Sequence, residues 1–115
     1  RTFLFPTLFL VLVFVTACAT VETTPLNGVR YPPRPENCEI QVYTMRPHPD
    51  FEEIAILNGK DGATLDETLD TVKSEACSLG ADAIVVTHSR PAPGYGSESS
   101  EGARVTATAI KFLPR

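Results

Sequence analysis

The chain has 115 residues, enough for one domain. It carries 10 lysines and arginines against 14 aspartates and glutamates, which gives a formal net charge of −4 at pH 7. A protein that grips a nucleic-acid backbone needs a basic stripe on its surface, and this acidic sequence contains none. The composition therefore argues against a nucleic-acid partner.

The first 17 residues have the composition of an export signal. After Arg1 no charged residue occurs before Glu22, and the stretch from Phe3 to Val15 is almost wholly apolar. A cationic start, an apolar centre and a small-residue end are typical of a secretory signal. Residues 1–17 are therefore predicted to be a cleaved signal peptide. The alternative is a retained membrane span over residues 2–21, since that uncharged stretch is about long enough to cross a bilayer.

The sequence Val15-Thr16-Ala17-Cys18 resembles the bacterial lipobox, in which an aliphatic residue and two small residues precede a cysteine. The resemblance implies that Cys18 receives diacylglycerol and becomes the N-terminus of the mature protein. Two or three acyl chains on one cysteine give stable anchoring. A cleaved signal followed by an ordinary cysteine is the alternative. Enterobacterial lipoproteins kept in the inner membrane carry aspartate at the next position, so Ala19 favours the outer membrane, with the domain facing the periplasm.

Four prolines mark the segment that follows the cysteine, residues 18–36: Pro25, Pro32, Pro33 and Pro35. Proline fixes φ and removes a backbone donor, so the segment is predicted to form neither a helix nor a central strand. We interpret it as an extended tether between the lipid and the domain. A proline-rich recognition motif is the less favoured alternative.

Residues 37–113 are predicted to form the folded domain. The alternating stretches Cys38–Tyr43 and Phe51–Leu57 indicate two strands, and Asn58-Gly59 and Asp61-Gly62 indicate turns after the second. A helix is predicted next, because apolar residues recur along one face of a 3.6-residue period. That face consists of Leu65, Leu69, Val72, Ala76 and Leu79.

The ends of this helix carry recognisable signals. Thr64 and Glu67 form a capping box at its start, and Gly80 supplies the left-handed residue that commonly ends a helix. The apolar run Ala83–Val86 then predicts a third strand, residues 89–103 a polar loop, and Arg104–Phe112 a fourth strand. The expected fold is α+β, a small β-β-α-β-β domain with one helix packed on a sheet.

The turn Leu79-Gly80-Ala81-Asp82-Ala83-Ile84-Val85 resembles the YbjQ-like/RcsF-like superfamily. The resemblance implies a compact domain with the element order given above. The family includes an outer-membrane stress-sensing lipoprotein that relays envelope damage by touching protein partners. That sensor has four cysteines in its domain, whereas this sequence has two.

Cys38 and Cys77 are the thiols left after lipidation. An exported protein lies in an oxidising compartment, where an even pair of cysteines usually bonds. We predict a structural disulfide that closes a loop of 40 residues counted inclusively, for which the chain-entropy account gives about 4 kcal/mol. A redox-active or metal-binding pair is the alternative, although reactive pairs usually have C-x-x-C spacing.

The other candidates for chemistry are weak. His48 and His88 are the only histidines, and zinc needs three or four clustered ligands, so no metal or cofactor is predicted. A Cys77–His88 nucleophile pair requires a free thiol, which the predicted disulfide removes. The acidic residues Asp50, Glu52 and Glu53 are interpreted as a solvated strand edge. No catalytic motif occurs, and the protein is not expected to be an enzyme.

The sequence therefore predicts an outer-membrane lipoprotein that acts as a non-catalytic interaction module, in envelope stress sensing or assembly. Its membrane contact is the lipid on Cys18, and its protein partner is an unidentified component of the envelope. Tyr95 in the polar loop is a candidate contact residue, against the simpler interpretation of a disordered connection. The alternative function is a periplasmic small-ligand or metal-binding domain, oligomeric as some members of the superfamily are.

Overall fold

The structure, a computed structural model, describes residues 19–26, 28, 30–92 and 102–114. The predicted signal peptide, the lipobox with Cys18, and Tyr95 lie outside the described residues. The described part of the chain forms one helix and five strands. They are β1 (Thr20–Pro25), β2 (Gln41–Tyr43), β3 (Phe51–Gly62), α1 (Leu65–Ser78), β4 (Ala83–Arg90) and β5 (Ala103–Phe112).

The five strands form a single mixed sheet in the order β1-β3-β5-β4-β2. Strands β2 and β4 are parallel, and the other neighbours are antiparallel. Since β3 and β4 both run antiparallel to β5, they are parallel to each other, and α1 connects them across one face of the sheet. The predicted α+β class, with one helix packed on a sheet, is confirmed, and the predicted order gains one N-terminal strand.

The core lies between α1 and the middle of the sheet. Small residues on the central strand β5 let the helix approach closely, since alternate positions there are alanine or valine. These are Ala103, Val105, Ala107 and Ala109, each at most 1% exposed. Val105, Ala107 and Ala109 belong to one core cluster with Val72 and Ala76 of the helix and with Leu57 and Ile84 of the neighbouring strands, the last four fully buried.

Both predicted ends of the helix are confirmed. The hydroxyl of Thr64 accepts a hydrogen bond from the Glu67 amide at 3.1 Å. The Glu67 carboxylate reaches back to the amide of Ala63 at 3.2 Å, one residue before the cap. Beyond the other end, Gly80 has a φ of 76°, which ends the helix and turns the chain toward β4.

The predicted turns at Asn58-Gly59 and Asp61-Gly62 are wrong, because β3 continues to Gly62. Gly59 and Gly62 instead leave space for side chains of α1. A Cβ at Gly59 would lie 2.5 Å from Cγ2 of Val72, and one at Gly62 would overlap the hydroxyl of Thr68. The strand is irregular between Gly59 and Gly62, where Asp61 has a φ of 68°.

The interpretation of residues 18–36 as an extended tether does not hold for Thr20–Pro25, which forms strand β1. Thr20–Pro25 pairs antiparallel with β3, from Thr20 opposite Lys60 to Pro25 opposite Ala55. The prolines exclude only a central strand, and Pro25 ends an edge strand, which proline tolerates. The Leu26 amide then donates to the Ile54 carbonyl at 3.1 Å.

The bounds of two other predicted strands differ from those in the structure. The first predicted strand shortens from Cys38–Tyr43 to Gln41–Tyr43, because Cys38 closes a turn by donating its amide to the Pro35 carbonyl at 2.9 Å. The third predicted strand lengthens from Ala83–Val86 to Ala83–Arg90, since β5 pairs with it along its whole length. The predicted loop at 89–103 is correspondingly shorter.

The positive φ of Gly80 generates a stability prediction. In Gly80→Ala the new Cβ would lie 2.5 Å from the Pro32 carbonyl oxygen, in a backbone conformation that disfavours side chains. We expect the free energy of unfolding to fall by about 1–3 kcal/mol, measured by urea unfolding. Gly28→Ala is the matched control, because its Cβ would meet no atom within 4 Å. Equal stability of the two variants would contradict the close packing at Gly80.

Candidate functional site

The C-terminal end of α1 is covered by residues 30–38, here called the strap. The strap is fixed by the disulfide between Cys38 and Cys77, whose Cα atoms are 5.9 Å apart. The predicted pairing is therefore confirmed, and Cys77 is only 1% exposed. A backbone bond adds to the disulfide, since the Arg34 amide donates to the Cys77 carbonyl at 2.8 Å.

Asp82, directly after the helix turn, joins the strap to the end of β5. One carboxylate oxygen accepts from Lys111 Nζ at 3.2 Å, and the other accepts from the Phe112 amide at 3.0 Å. Arg34 lies 4.0 Å from Asp82 and donates to the carbonyl of Ala81 at 2.9 Å. The charged side chains of Asp82, Arg34 and Lys111 are about a third exposed, so the ion pairs contribute modestly and mainly fix geometry.

Tyr31 is the second link between the strap and the sheet. Its phenol donates a hydrogen bond to the Glu52 carboxylate, and the Lys111 ammonium lies 5.5 Å from the centre of its ring. The pKa of Tyr31 is raised above its usual 10.0. The bond to Glu52 is the main cause, because it favours the protonated phenol; desolvation and the negative charges of Glu52 and Asp82 add to it.

A cleft of about 700 Å³ opens between β1, β3, the end of α1 and the strap. Its size is typical of sites that bind small molecules. Ile54 and Ala55 of β3 lie under it, and the remaining lining comes from β1, the strap, the end of α1 and Gly28. These residues are Thr23, Pro25, Gly28, Arg30, Tyr31, Pro33, Ser78 and Leu79. Arg30 is the only charged residue among those of the lining that the structure describes.

His48 and His88, which were considered as metal ligands, lie outside this cleft. His48 is in the loop before β3, and His88 lies on β4 opposite Thr106. Among residues 19–26, 28, 30–92 and 102–114, no group of three or more His, Cys, Asp or Glu could hold a metal ion. Cys77 is bonded to Cys38 and so offers no free thiol to His88.

The interpretation of Asp50, Glu52 and Glu53 as a solvated edge is wrong for Glu52, which accepts the bond from Tyr31. Sequence reasoning also missed Tyr31 and Arg34, because their partners are distant in the chain and no local pattern announces them. The available signal was Gly80 followed by Asp82 after the helix, because the glycine indicates a tight turn and the aspartate offers a carboxylate that can fix it.

The described helix, α1, is not long and apolar enough to cross a membrane.

The raised pKa of Tyr31 generates a titration prediction. Because the Glu52 carboxylate favours the protonated phenol, Glu52→Gln should lower the Tyr31 pKa toward its usual value, seen as earlier phenolate absorbance in an alkaline titration. A tyrosine whose pKa is raised on folding contributes stability below about pH 10, and this contribution is lost as the pH rises through the folded-state value. Tyr31→Phe should remove the late component of the titration. Glu39→Gln is the control, and an identical effect from it would contradict the assignment.

Comparisons with known proteins identify the fold and no family. The chain matches no family model and no curated protein. It is similar to a solved structure described as the crystal structure of a Francisella virulence factor FvfA in the orthorhombic form. The TM-score is 0.61 at 17% sequence identity, and the alignment covers 79% of this chain and 96% of that one. At this identity the similarity shows a shared fold alone.

Proposed function

We propose that this chain is a lipoprotein anchored through Cys18 in the outer membrane, and that its domain is a non-catalytic contact module. The observation that carries the proposal is the position of β1, which begins at Thr20, two residues after Cys18. Two extended residues span at most about 7 Å. A lipid on Cys18 would therefore hold the end of the sheet at Thr20 and Lys60 close to the bilayer surface.

Two further features support export and lipidation. The disulfide between Cys38 and Cys77 suits an oxidising compartment such as the periplasm. The apolar run of residues 3–15 ends directly before the lipobox-like residues Val15-Thr16-Ala17-Cys18. Envelope stress sensing or assembly is proposed as the process because the helix turn at residues 79–85 resembles the superfamily that contains a stress-sensing lipoprotein.

The opposite end of the sheet offers a surface for a protein partner. Phe51 lies nine residues along β3 from Lys60, which corresponds to about 30 Å. Met45, the residue before Arg46, is 79% exposed, and Leu113, whose amide donates to the carbonyl of Asp50, is 45% exposed. The guanidinium of Arg46 lies 5.2 Å from the centre of the Phe51 ring.

We call this surface the distal tip; it comprises Tyr43, Met45, Arg46, Phe51, Phe112 and Leu113. Aromatic residues, methionine and arginine are the types enriched in protein interfaces, whereas lysine and glutamate are depleted there. Since the anchor would lie at the other end of β3, the distal tip would point away from the membrane. An envelope protein with an apolar patch is therefore the proposed partner.

The alternative function, a periplasmic small-ligand-binding domain, is favoured by the cleft beside β1. The two functions predict different dependences of stability. A bound ligand raises the melting temperature by an amount that grows with the logarithm of its concentration relative to its Kd, whereas a contact module responds in that way only to its partner.

Anchoring at Cys18 is tested by acyl labelling. Cys18→Ser should abolish incorporation of a labelled fatty acid and leave the precursor uncleaved, because the thiol is the acceptor. The control is the double variant Cys38→Ser/Cys77→Ser, which lacks the disulfide but keeps Cys18 and should still be labelled. Labelling of Cys18→Ser at the wild-type level would show that the chain is not a lipoprotein of this kind.

Contact through the distal tip is tested by site-specific photocrosslinking in intact cells. A photoactivatable residue at Met45 should capture a discrete envelope protein, and the same residue at Asp70, exposed on α1, should not. A flexible spacer of about 12 residues inserted after Ala19 adds roughly 20 Å of reach. It should reduce capture at Met45 without changing the melting temperature, since every described strand begins after Ala19. Equal capture from Met45 and Asp70 would contradict the assignment of the tip.

A further inference from the structure

We infer that the cleft beside β1 binds an anionic amphiphile, that is, an apolar chain carrying a carboxylate or phosphate head group. This inference goes beyond the proposed contact function and does not depend on the anchor. The apolar part follows from the lining. Ile54 and Ala55 lie under the cleft, Leu79 and Pro33 border it, and its volume of about 700 Å³ can accommodate such a chain.

The charge of the head group follows from Arg30. Among the described residues of the lining it is the only charged one, and it is exposed. Within the described part of the chain, no hydrogen bond or ion pair involves its guanidinium. A guanidinium binds carboxylate and phosphate oxygens through paired hydrogen bonds. Arg30 is therefore the group of the cleft best suited to a ligand's anion.

The other charged groups near the cleft are engaged within the protein. Glu75 accepts a hydrogen bond from the Thr23 hydroxyl at 3.0 Å, and Glu52 accepts one from Tyr31. Lys111 pairs with Asp82 at 3.2 Å. Lys111 and Asp82 form an ion pair, whereas the hydroxyl partners of Glu75 and Glu52 are neutral and leave these carboxylates charged. Neither carboxylate belongs to the described lining, so the charge that the lining presents to a ligand is that of Arg30. Charge complementarity thus selects an anionic amphiphile over a cationic one.

A fatty acid and an anionic phospholipid share this chemistry, and photolabelling distinguishes them. The full chain would be kept in unfractionated lysates of the producing cells, which retain it whether or not it is anchored. Three photoactivatable probes would be added separately: a long-chain carboxylic acid, the matching long-chain alcohol, and a phosphatidic acid with the same chain. Labelled peptides would be identified by mass spectrometry, and those containing Ile54 or Leu79 report the cleft.

Two variants test the binding of the apolar chain and of the anionic head group. Ser78→Trp places an indole at the exposed rim of the cleft and should remove labelling by all three probes. Arg30→Glu should weaken labelling by the anionic probes about tenfold relative to the alcohol, the size expected for a lost charge-assisted contact. Arg104→Glu is the matched control, because Arg104 is an exposed arginine on β5. Each variant must keep the Cys38–Cys77 linkage in a non-reduced digest, and Arg30→Gln replaces Arg30→Glu if it does not.

Labelling of the cleft by the acid or by the phospholipid, with loss in both variants, supports the inference, and the more efficient of the two probes identifies the source. Three results would overturn it. The first is an absence of labelling at the cleft in the wild type. The second is an equal effect of Arg30→Glu and Arg104→Glu on the anionic probes. The third is unchanged labelling in a folded Ser78→Trp variant.

Discussion

The close approach of the strap to Gly80 is the constraint on which the N-terminal part of the domain depends. The Pro32 carbonyl oxygen lies 2.5 Å from where a Cβ at position 80 would be, and the Tyr31 Cβ lies 2.8 Å from it. Only a glycine with positive φ provides this space while it ends the helix. The Arg34 amide can then reach the Cys77 carbonyl, and Cys38 can reach the Cys77 sulfur. The disulfide adds a covalent bond to this contact, in which the backbone of the strap already lies against the helix turn.

The same arrangement creates the cleft, and it would set the distance between a lipid on Cys18 and the domain. Because β1 pairs with β3 and the strap returns over the end of α1, the chain encloses a space above Ile54 and Ala55. Tyr31 borders that space and is tied to the sheet through Glu52. The segment expected to be a spacer is instead used in folding. A lipid on Cys18 would then orient the domain, since it would hold one defined end of the sheet at the bilayer.

Local patterns predicted the parts of the fold that depend on local chemistry. Nearby residue types predicted the helix, its Thr64 cap and its end at Gly80. The cysteine pair was predicted from the oxidising compartment expected for an exported protein. Strand β1 was missed because the prolines dominated the interpretation of the segment, although Val21 and Thr23 alternate toward the helix side as an edge strand requires. Gly59 and Gly62 were predicted to form turns, but they leave space for the side chains of Val72 and Thr68. The residues next to them in sequence do not indicate this role. The cleft and the contacts of Tyr31 and Arg34 arise from pairings distant in sequence, so the sequence alone could not indicate them.

Amide hydrogen exchange tests most directly whether the residues after Cys18 belong to the fold. The Leu26 amide donates to Ile54 and the Arg34 amide donates to Cys77, so both should exchange slowly, with opening free energies that approach that of global unfolding. The amide of Met45, in an exposed loop, provides the fast reference in the same sample. Slow exchange at Leu26 and Arg34 is the result that this account predicts. Exchange at both positions as fast as at Met45 would contradict it and restore a free tether before the domain.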